Sequence, residues 1–282
     1  MSLATISPAP RGALRIDNAV KLYDPDGARV LAIDHCSFDV AAGEICMIVG
    51  PSGCGKTTLL NAIAGFHGLD GGAIYLDNKL LCGPGQPQAP VGSDRIVVFQ
   101  NGALFPWKTN LENIAFGPLV QKKLSRVEAF EKARYLMAEA GLEGHEDEYP
   151  GEISSGLRRR VEIVRALIND PTVLLLDEPY RALDALTKSV MHEALLETHR
   201  RTGITIFFIT HDLEEAIFLG HRVIVMTARP CRPKRIIDIN IPYPRNYTVL
   251  TSPRFRELAA DISAAVDEEA VKSFELGEAE GQ

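Results

Sequence analysis

Gly50-Pro51-Ser52-Gly53-Cys54-Gly55-Lys56-Thr57, with Thr58 following, is the stretch whose reading decides the fold. It satisfies the pattern G-x-x-x-x-G-K-[ST], a loop whose backbone N–H groups converge on phosphate oxygens. The apolar run Ile45-Cys46-Met47-Ile48-Val49 before it reads as a strand, and Leu59-Leu60-Asn61-Ala62-Ile63-Ala64 after it reads as a helix. In that setting the glycines let successive N–H groups point at one spot, and the helix N-terminus adds positive potential there. Lys56 can reach the outer phosphates and the Thr57 hydroxyl can ligate Mg²⁺. A glycine-rich turn that merely ends in Lys-Thr is the competing reading, and the flanking segments disfavour it.

Working outward, the chain downstream alternates buried strands with helices. Ile96-Val97-Val98-Phe99 reads as a strand ending at Gln100. Val173-Leu174-Leu175-Leu176 is a continuous apolar run ending in Asp177-Glu178, the mark of a strand covered on both faces. Ile204 to Ile209 is another, ending at Thr210-His211, and Val223 to Met226 a fourth. Between them lie helical patterns: Leu111 to Leu142, Ile153 to Asn169, Ala185 to Arg200 and Leu213 to Leu219. In the clearest of these, Ser125 caps a helix running to Ala140 with Val127, Phe130, Ala133, Leu136 and Met137 on one face. Strands alternating with helices predict a doubly wound α/β core. Upstream, residues 13–23, Val30 to Ile33, Cys36 to Val40 and Gly72 to Leu76 read as short strands of an antiparallel, hairpin-rich patch, with a turn at Asp24-Pro25-Asp26-Gly27. Residues 82–92 read as loop, and past Pro230 the chain is Pro-rich, with one helix expected from Pro253 to Val266.

Composition bounds the function classes. At 282 residues and 46% apolar content, the chain holds one large domain or slightly more. A net charge of −7 argues against a nucleic-acid partner, which needs a basic face. The five cysteines form no C-x-x-C pair and read as reduced thiols of a cytosolic protein. Residues 1–12 lack the charged and apolar regions of a signal peptide and read as a disordered leader. No apolar stretch approaches the ~20 residues needed to span a bilayer, so a soluble or peripheral protein is expected.

Ligands in open α/β sheets bind beyond the carboxyl ends of the strands, so Asp177 and Glu178 are expected to face the phosphate loop. Two carboxylates beside a triphosphate call for a cation, which implies Mg²⁺. Gln100 and His211 also leave strand ends; each alone is more often structural, but with the loop and the acid pair they point to one crevice. A guanine-reading Asn-Lys-x-Asp is not found, because Asn78-Lys79 continues into Leu80-Leu81.

With these residues assembled, residues 13 to about 240 resemble the ATP-binding subunit of an ABC transporter. Gly50–Thr57 looks like its Walker A, Val173–Glu178 its Walker B, Ala182-Leu183-Asp184 its D-loop, and Ile153-Ser154-Ser155-Gly156-Leu157 stands at the signature Leu-Ser-Gly-Gly-Gln. The resemblance implies an α/β P-loop NTPase core with an antiparallel β subdomain and an inserted α-helical subdomain (about 101–165), then a short tail (241–282) with one helix. It implies Mg²⁺-dependent ATP hydrolysis with Lys56, Gln100, Glu178 and His211 as the catalytic set: Glu178 as general base and His211 on the γ-phosphate. Gly50, Pro51, Ser52, Gly53, Cys54, Gly55, Lys56, Thr57 and Thr58 would hold phosphates; Thr57, Gln100 and Asp177 would serve Mg²⁺; Tyr23 would stack on adenine. Ser154, Ser155, Gly156 and Asp184 would complete the site of a second ATP-binding subunit, identical or a paralogue. The other implied partners are two transmembrane permease subunits and, indirectly, a periplasmic or lipid-anchored solute-binding protein, with this chain peripheral on the cytoplasmic face of the inner membrane.

Phe99-Gln100, Leu104-Phe105-Pro106-Trp107, Asn113 to Gly117 and Leu250 to Phe255 are similar to the nitrate, sulfonate, taurine and bicarbonate importer branch, which places Trp107 and Phe116 near a permease coupling helix. Three departures stand out. Ser155 and Leu157 replace a signature glycine and glutamine; Asn101-Gly102 replaces Glu-Pro; and Asp177-Glu178-Pro179-Tyr180-Arg181 replaces the branch's usual Asp-Glu-Pro-Phe-Gly. The Cβ and hydroxyl of Ser155 are expected to lower turnover by crowding the approach to a γ-phosphate. The alternatives are a soluble ABC ATPase acting on nucleic acid or a macromolecular complex, a weakly catalytic regulatory subunit, and an exporter.

Overall fold

Alternating residues of the buried runs go to opposite faces of one sheet, and this divides the core in two. The computed structural model describes residues 11–24, 29–181 and 183–280; most of the expected leader, most of the turn at 24–27 and Ala182 lie outside the described residues. Ten strands and seven helices are described: β1 (Leu14–Tyr23), β2 (Val30–Val40), β3 (Ile45–Val49), α1 (Lys56–Ala64), β4 (Gly71–Leu76), β5 (Lys79–Cys82), β6 (Arg95–Val98), α2 (Asn110–Val120), α3 (Arg126–Glu139), α4 (Ser155–Leu167), β7 (Val173–Asp177), α5 (Ala185–Thr202), β8 (Thr205–Ile209), α6 (Leu213–Leu219), β9 (Arg222–Met226), β10 (Pro233–Asp238) and α7 (Pro253–Glu280). The main sheet has the order β10-β9-β3-β8-β7-β6, parallel from β9 to β6 with β10 antiparallel at the edge. A second, antiparallel sheet has the order β2-β1-β4-β5.

Cys46, Ile48, Leu175, Phe207 and Ile209 pack with α1 and the antiparallel sheet. Their sequence neighbours Met47, Val49, Leu174, Leu176, Ile206 and Phe208 pack on the other face with α5, α6 and α7. Each fully buried large side chain contributes about 1.5–3 kcal/mol. The helices α2, α3 and α4 bury a third cluster of their own, including Leu111, Ile114, Ala133, Met137 and Val161.

The structure departs from the sequence reading in five places. Val30 to Val40 is one strand, kinked where His35 takes φ 47, rather than two. The structure adds β5 and β10, which lack an apolar run to mark them: β5 has only four residues, and β10 opens with Pro-Lys-Arg. The strand before Gln100 stops at Val98, leaving Phe99 exposed. On α3 the seam is Ala129, Ala133 and Met137, while Val127 is 67% exposed; small alanines allow close approach of α2 and α4 there. α7 runs to Glu280, and Phe255, Leu258, Ile262 and Ala265 insert into the main core.

Candidate active site

The strand order β3-β8-β7-β6 sets four carboxyl ends side by side, so the loop after β3, His211 after β8, Asp177-Glu178 at β7 and Gln100 after β6 share one edge. The loop is shaped by its glycines. Gly55 adopts φ 115, and a Cβ there would stand 2.5 Å from Ala32 O and 2.8 Å from Cys231 Cβ; Gly53, at φ 73, faces open space. Gly55 also caps α1 without a side-chain hydrogen bond, so the first N–H groups of α1 are offered to a ligand. Lys56 is buried and its Nζ donates to Gly50 O at 2.9 Å and Pro51 O at 2.7 Å, tying the loop's two ends together. A hydrogen bond from Cys231, helped by Lys56, draws the Cys54 thiol below the usual range against the opposing effect of burial. All five cysteines are free and buried.

Two polar groups link the strands across this edge. Thr57 Oγ1 donates to the Asp177 carboxylate at 3.0 and 3.3 Å, across 120 positions of sequence. Burial, with the adjacent Glu178 charge adding to it, raises the Asp177 carboxyl while the Thr57 hydrogen bond opposes the rise. Glu178 Oε2 lies 3.2 Å from Gln100 Nε2 and 3.4 Å from His211 Nδ1. The backbone of Glu178 is in the left-handed region at φ 44, held by its N–H donating to Ile209 O at 2.9 Å. Such a conformation in a non-glycine residue is strained and persists only where the surroundings enforce it.

The remaining predicted residues lie elsewhere. Ser154 caps α4, accepting from Leu157 N at 3.3 Å, and is exposed together with Ser155. Gly156 is buried, and a Cβ there would stand 2.5 Å from Thr187 Cγ2. Asp184 caps α5, accepting from Thr187 N at 2.9 Å and Thr187 Oγ1 at 2.6 Å. Tyr23, at the end of β1, packs edge-on against His67, 5.9 Å between centroids. Sequence reading missed Arg159. This buried guanidinium on α4 donates to Phe99 O at 2.9 Å and Gln100 O at 3.0 Å and pairs with Glu162, tying the helical layer to the Gln100 segment. Its only sequence signal was the basic run Arg158-Arg159-Arg160 inside a helix. Arg181 was noted only as a departure; its Nη1 lies 3.2 Å from Glu178 Oε2.

A family model described as ABC transporter matches residues 33–181. The chain belongs to the ABC transporter family. It is 41% identical over 261 residues to an uncharacterized ABC transporter ATP-binding protein of Methanocaldococcus jannaschii, covering 93% of this chain and 94% of that one. It is 39% identical over 243 residues (86% and 91% covered) to the aliphatic sulfonates import ATP-binding protein SsuB of Bacillus cereus. It is 40% identical over 259 residues (89% and 95%) to the taurine import ATP-binding protein TauB of Rhizobium johnstonii. Its fold matches a dimeric ATP-binding cassette solved in a post-hydrolysis state with ADP and Pi, with TM-score 0.70 and 28% identity over 81% of this chain and all of that one. The chain is thus an ATP-binding subunit of the ABC class, an ATPase on the P-loop fold, resembling the sulfonate and taurine importer branch. The phosphate loop, free α1 N–H groups and Thr57–Asp177 pair fit an ABC cassette's ATP. No described helix is long and apolar enough to cross a membrane.

Proposed function

We propose that this ABC ATPase powers a bacterial importer for a small anionic or zwitterionic solute, such as a sulfonate, taurine, nitrate or bicarbonate. The observation that carries the catalytic reading is the gathering of Thr57–Asp177 and Gln100–Glu178–His211 at one sheet edge beside the phosphate loop. Lys56 and the N–H groups of residues 52–58 would hold phosphates. Thr57, Gln100 and Asp177 would hold Mg²⁺, which would supply neutralising charge beside the raised Asp177 carboxyl. Glu178 would take the proton of the attacking water and His211 would bond the terminal phosphate. Tyr23 would stack on adenine. The exposed Ser154-Ser155 and the adjoining Gly156 and Asp184 would complete the site of a second cassette, so that ATP-driven closure of the pair moves two permease subunits.

The groove that would receive a permease helix, about 240 Å³, is lined by Phe99, Ala103, Phe116, Glu162 and Arg165. Beside it Phe105 packs on Phe116 at 4.7 Å, and Trp107 is 71% exposed. Glu178→Gln tests the reading. Turnover is expected to fall at least ~100-fold, the scale of general-base catalysis, with ATP binding and ATP-dependent dimerisation kept. Near-normal hydrolysis overturns the assignment. Purification in detergent is expected to bring membrane subunits with the chain; recovery with ribosomes or nucleic acid instead overturns the transport reading.

A further inference from the structure

Three nitrogen atoms from three separate segments converge on one oxygen, Glu178 Oε2: Gln100 Nε2 and Arg181 Nη1 donate to it, both at 3.2 Å, and His211 Nδ1 lies 3.4 Å away. The proposed function uses Gln100 and His211. It has no use for Arg181. The local geometry enforces the contact. Glu178 and Arg181 are joined by a tight turn in which Arg181 N donates to Glu178 O at 3.3 Å, and Pro179 restricts the chain between them. The Glu178 side chain is 17% exposed and that of Arg181 59%, so the guanidinium approaches a largely enclosed carboxylate from the solvent side.

A carboxylate that accepts a proton from water needs a lone pair free to take it, and Arg181 Nη1 already occupies one on Oε2 from the solvent side. We propose that Arg181 is a positioning residue that clasps Glu178 and restrains ATP hydrolysis until this ion pair opens. The proposal rests on Glu178 as the proton acceptor, as stated above. Asp184 and Thr187 follow Arg181 in sequence, and Thr187 lies against Gly156 of the signature segment.

The clasp is solvent-facing, so its strength is that of a surface ion pair: a restraint of up to roughly fivefold, weakened by salt. The test measures kcat and KM for ATP on the full-length protein at low and high NaCl. Wild type is compared with Arg181→Gln, Arg181→Lys, Arg181→Gly and Glu178→Gln. At low salt Arg181→Gln and Arg181→Gly are expected to raise kcat about two- to fivefold with KM little changed. Arg181→Lys is expected to stay near wild type, and the ratio of Arg181→Gln to wild type to fall towards one at high salt. An unchanged or lowered kcat in both neutral variants, an equal gain in Arg181→Lys, or a ratio insensitive to salt overturns the clasp. Glu178→Gln separates the two layers: if it still hydrolyses ATP the base assignment fails, whereas loss of turnover there with no gain in the Arg181 variants removes the clasp alone.

Discussion

Gly55 shows how little freedom a single position in the phosphate loop has. With φ 115 and neighbours at 2.5 and 2.8 Å from any Cβ, Gly55→Ala must move either the loop or the strand carrying Ala32. The expected outcome is a loss of about 1–3 kcal/mol of stability and of measurable nucleotide binding, read by thermal melting and by titration with ATP. Ser155 is a different case. It opens α4 with an exposed side chain and without a positive φ, so the fold itself does not require glycine there. The effect of its Cβ belongs to the approach of a second subunit's phosphate. Ser155→Gly is expected to raise ATPase turnover in the assembled complex while leaving the melting temperature within about a degree of wild type, since a surface change is worth at most ~0.5 kcal/mol. An equal rate would remove Ser155 as the cause of any slow turnover.

Among the elements, α4 links the layers. Its first residues carry the signature segment, its middle places Arg159 on the carbonyls of Phe99 and Gln100, and its apolar face closes the helical cluster. Arg159→Met is expected to lower stability by roughly 2–4 kcal/mol, because it leaves Glu162 half of a buried pair, and to reduce kcat by loosening Gln100. Denaturant melts and steady-state kinetics check the two effects separately. α3 illustrates the limit of reading periodicity. Its N-terminus was legible because Ser125 and Glu128 form a reciprocal capping box within one turn. Its buried face was legible only in part, since packing against α2 and α4 selected Ala129, Ala133 and Met137 and left Val127 in solvent.

Across the whole molecule, the C-terminal segment is bound into the core. The buried Arg245 donates to the carbonyls of Ile217, Phe218 and Gly220 at the end of α6 and to Ile241, fastening residues 239–246 to the helix that follows His211. Arg245→Met is expected to cost about 3 kcal/mol, seen as a lower melting temperature, because several buried carbonyls lose their donor at once. Stability also has a defined pH dependence. Burial, then His199 and Arg245 nearby, draws His221 down to about 4, and its Nδ1 accepts from Ile45 N–H. A histidine lowered in the folded state is protonated first in the unfolded chain. Stability therefore falls as pH drops from about 6.5 towards 4, and is fully present above that window. The melting temperature is expected to decline between pH 7 and pH 5, with a shallower decline in His221→Gln.

What the sequence by itself determined is what depends on neighbours or on period: the phosphate loop with its flanking strand and helix, the buried parallel strands, the cap at Ser125, and the acids ending β7. These rest on backbone preferences and hydrogen bonds spanning a few residues, so any short window contains them. Only the tertiary structure decided that β8 lies between β3 and β7. That order joins Thr57 to Asp177 and brings His211 and Gln100 to the same oxygen of Glu178. It also decided that β10 pairs at the sheet edge, that Arg245 closes α6 and that Arg181 meets Glu178. Apart from the Arg181 turn and the β9–β10 pair, these contacts join segments distant in sequence. Packing and strand pairing select them, and local preference carries no record of which distant segment will arrive.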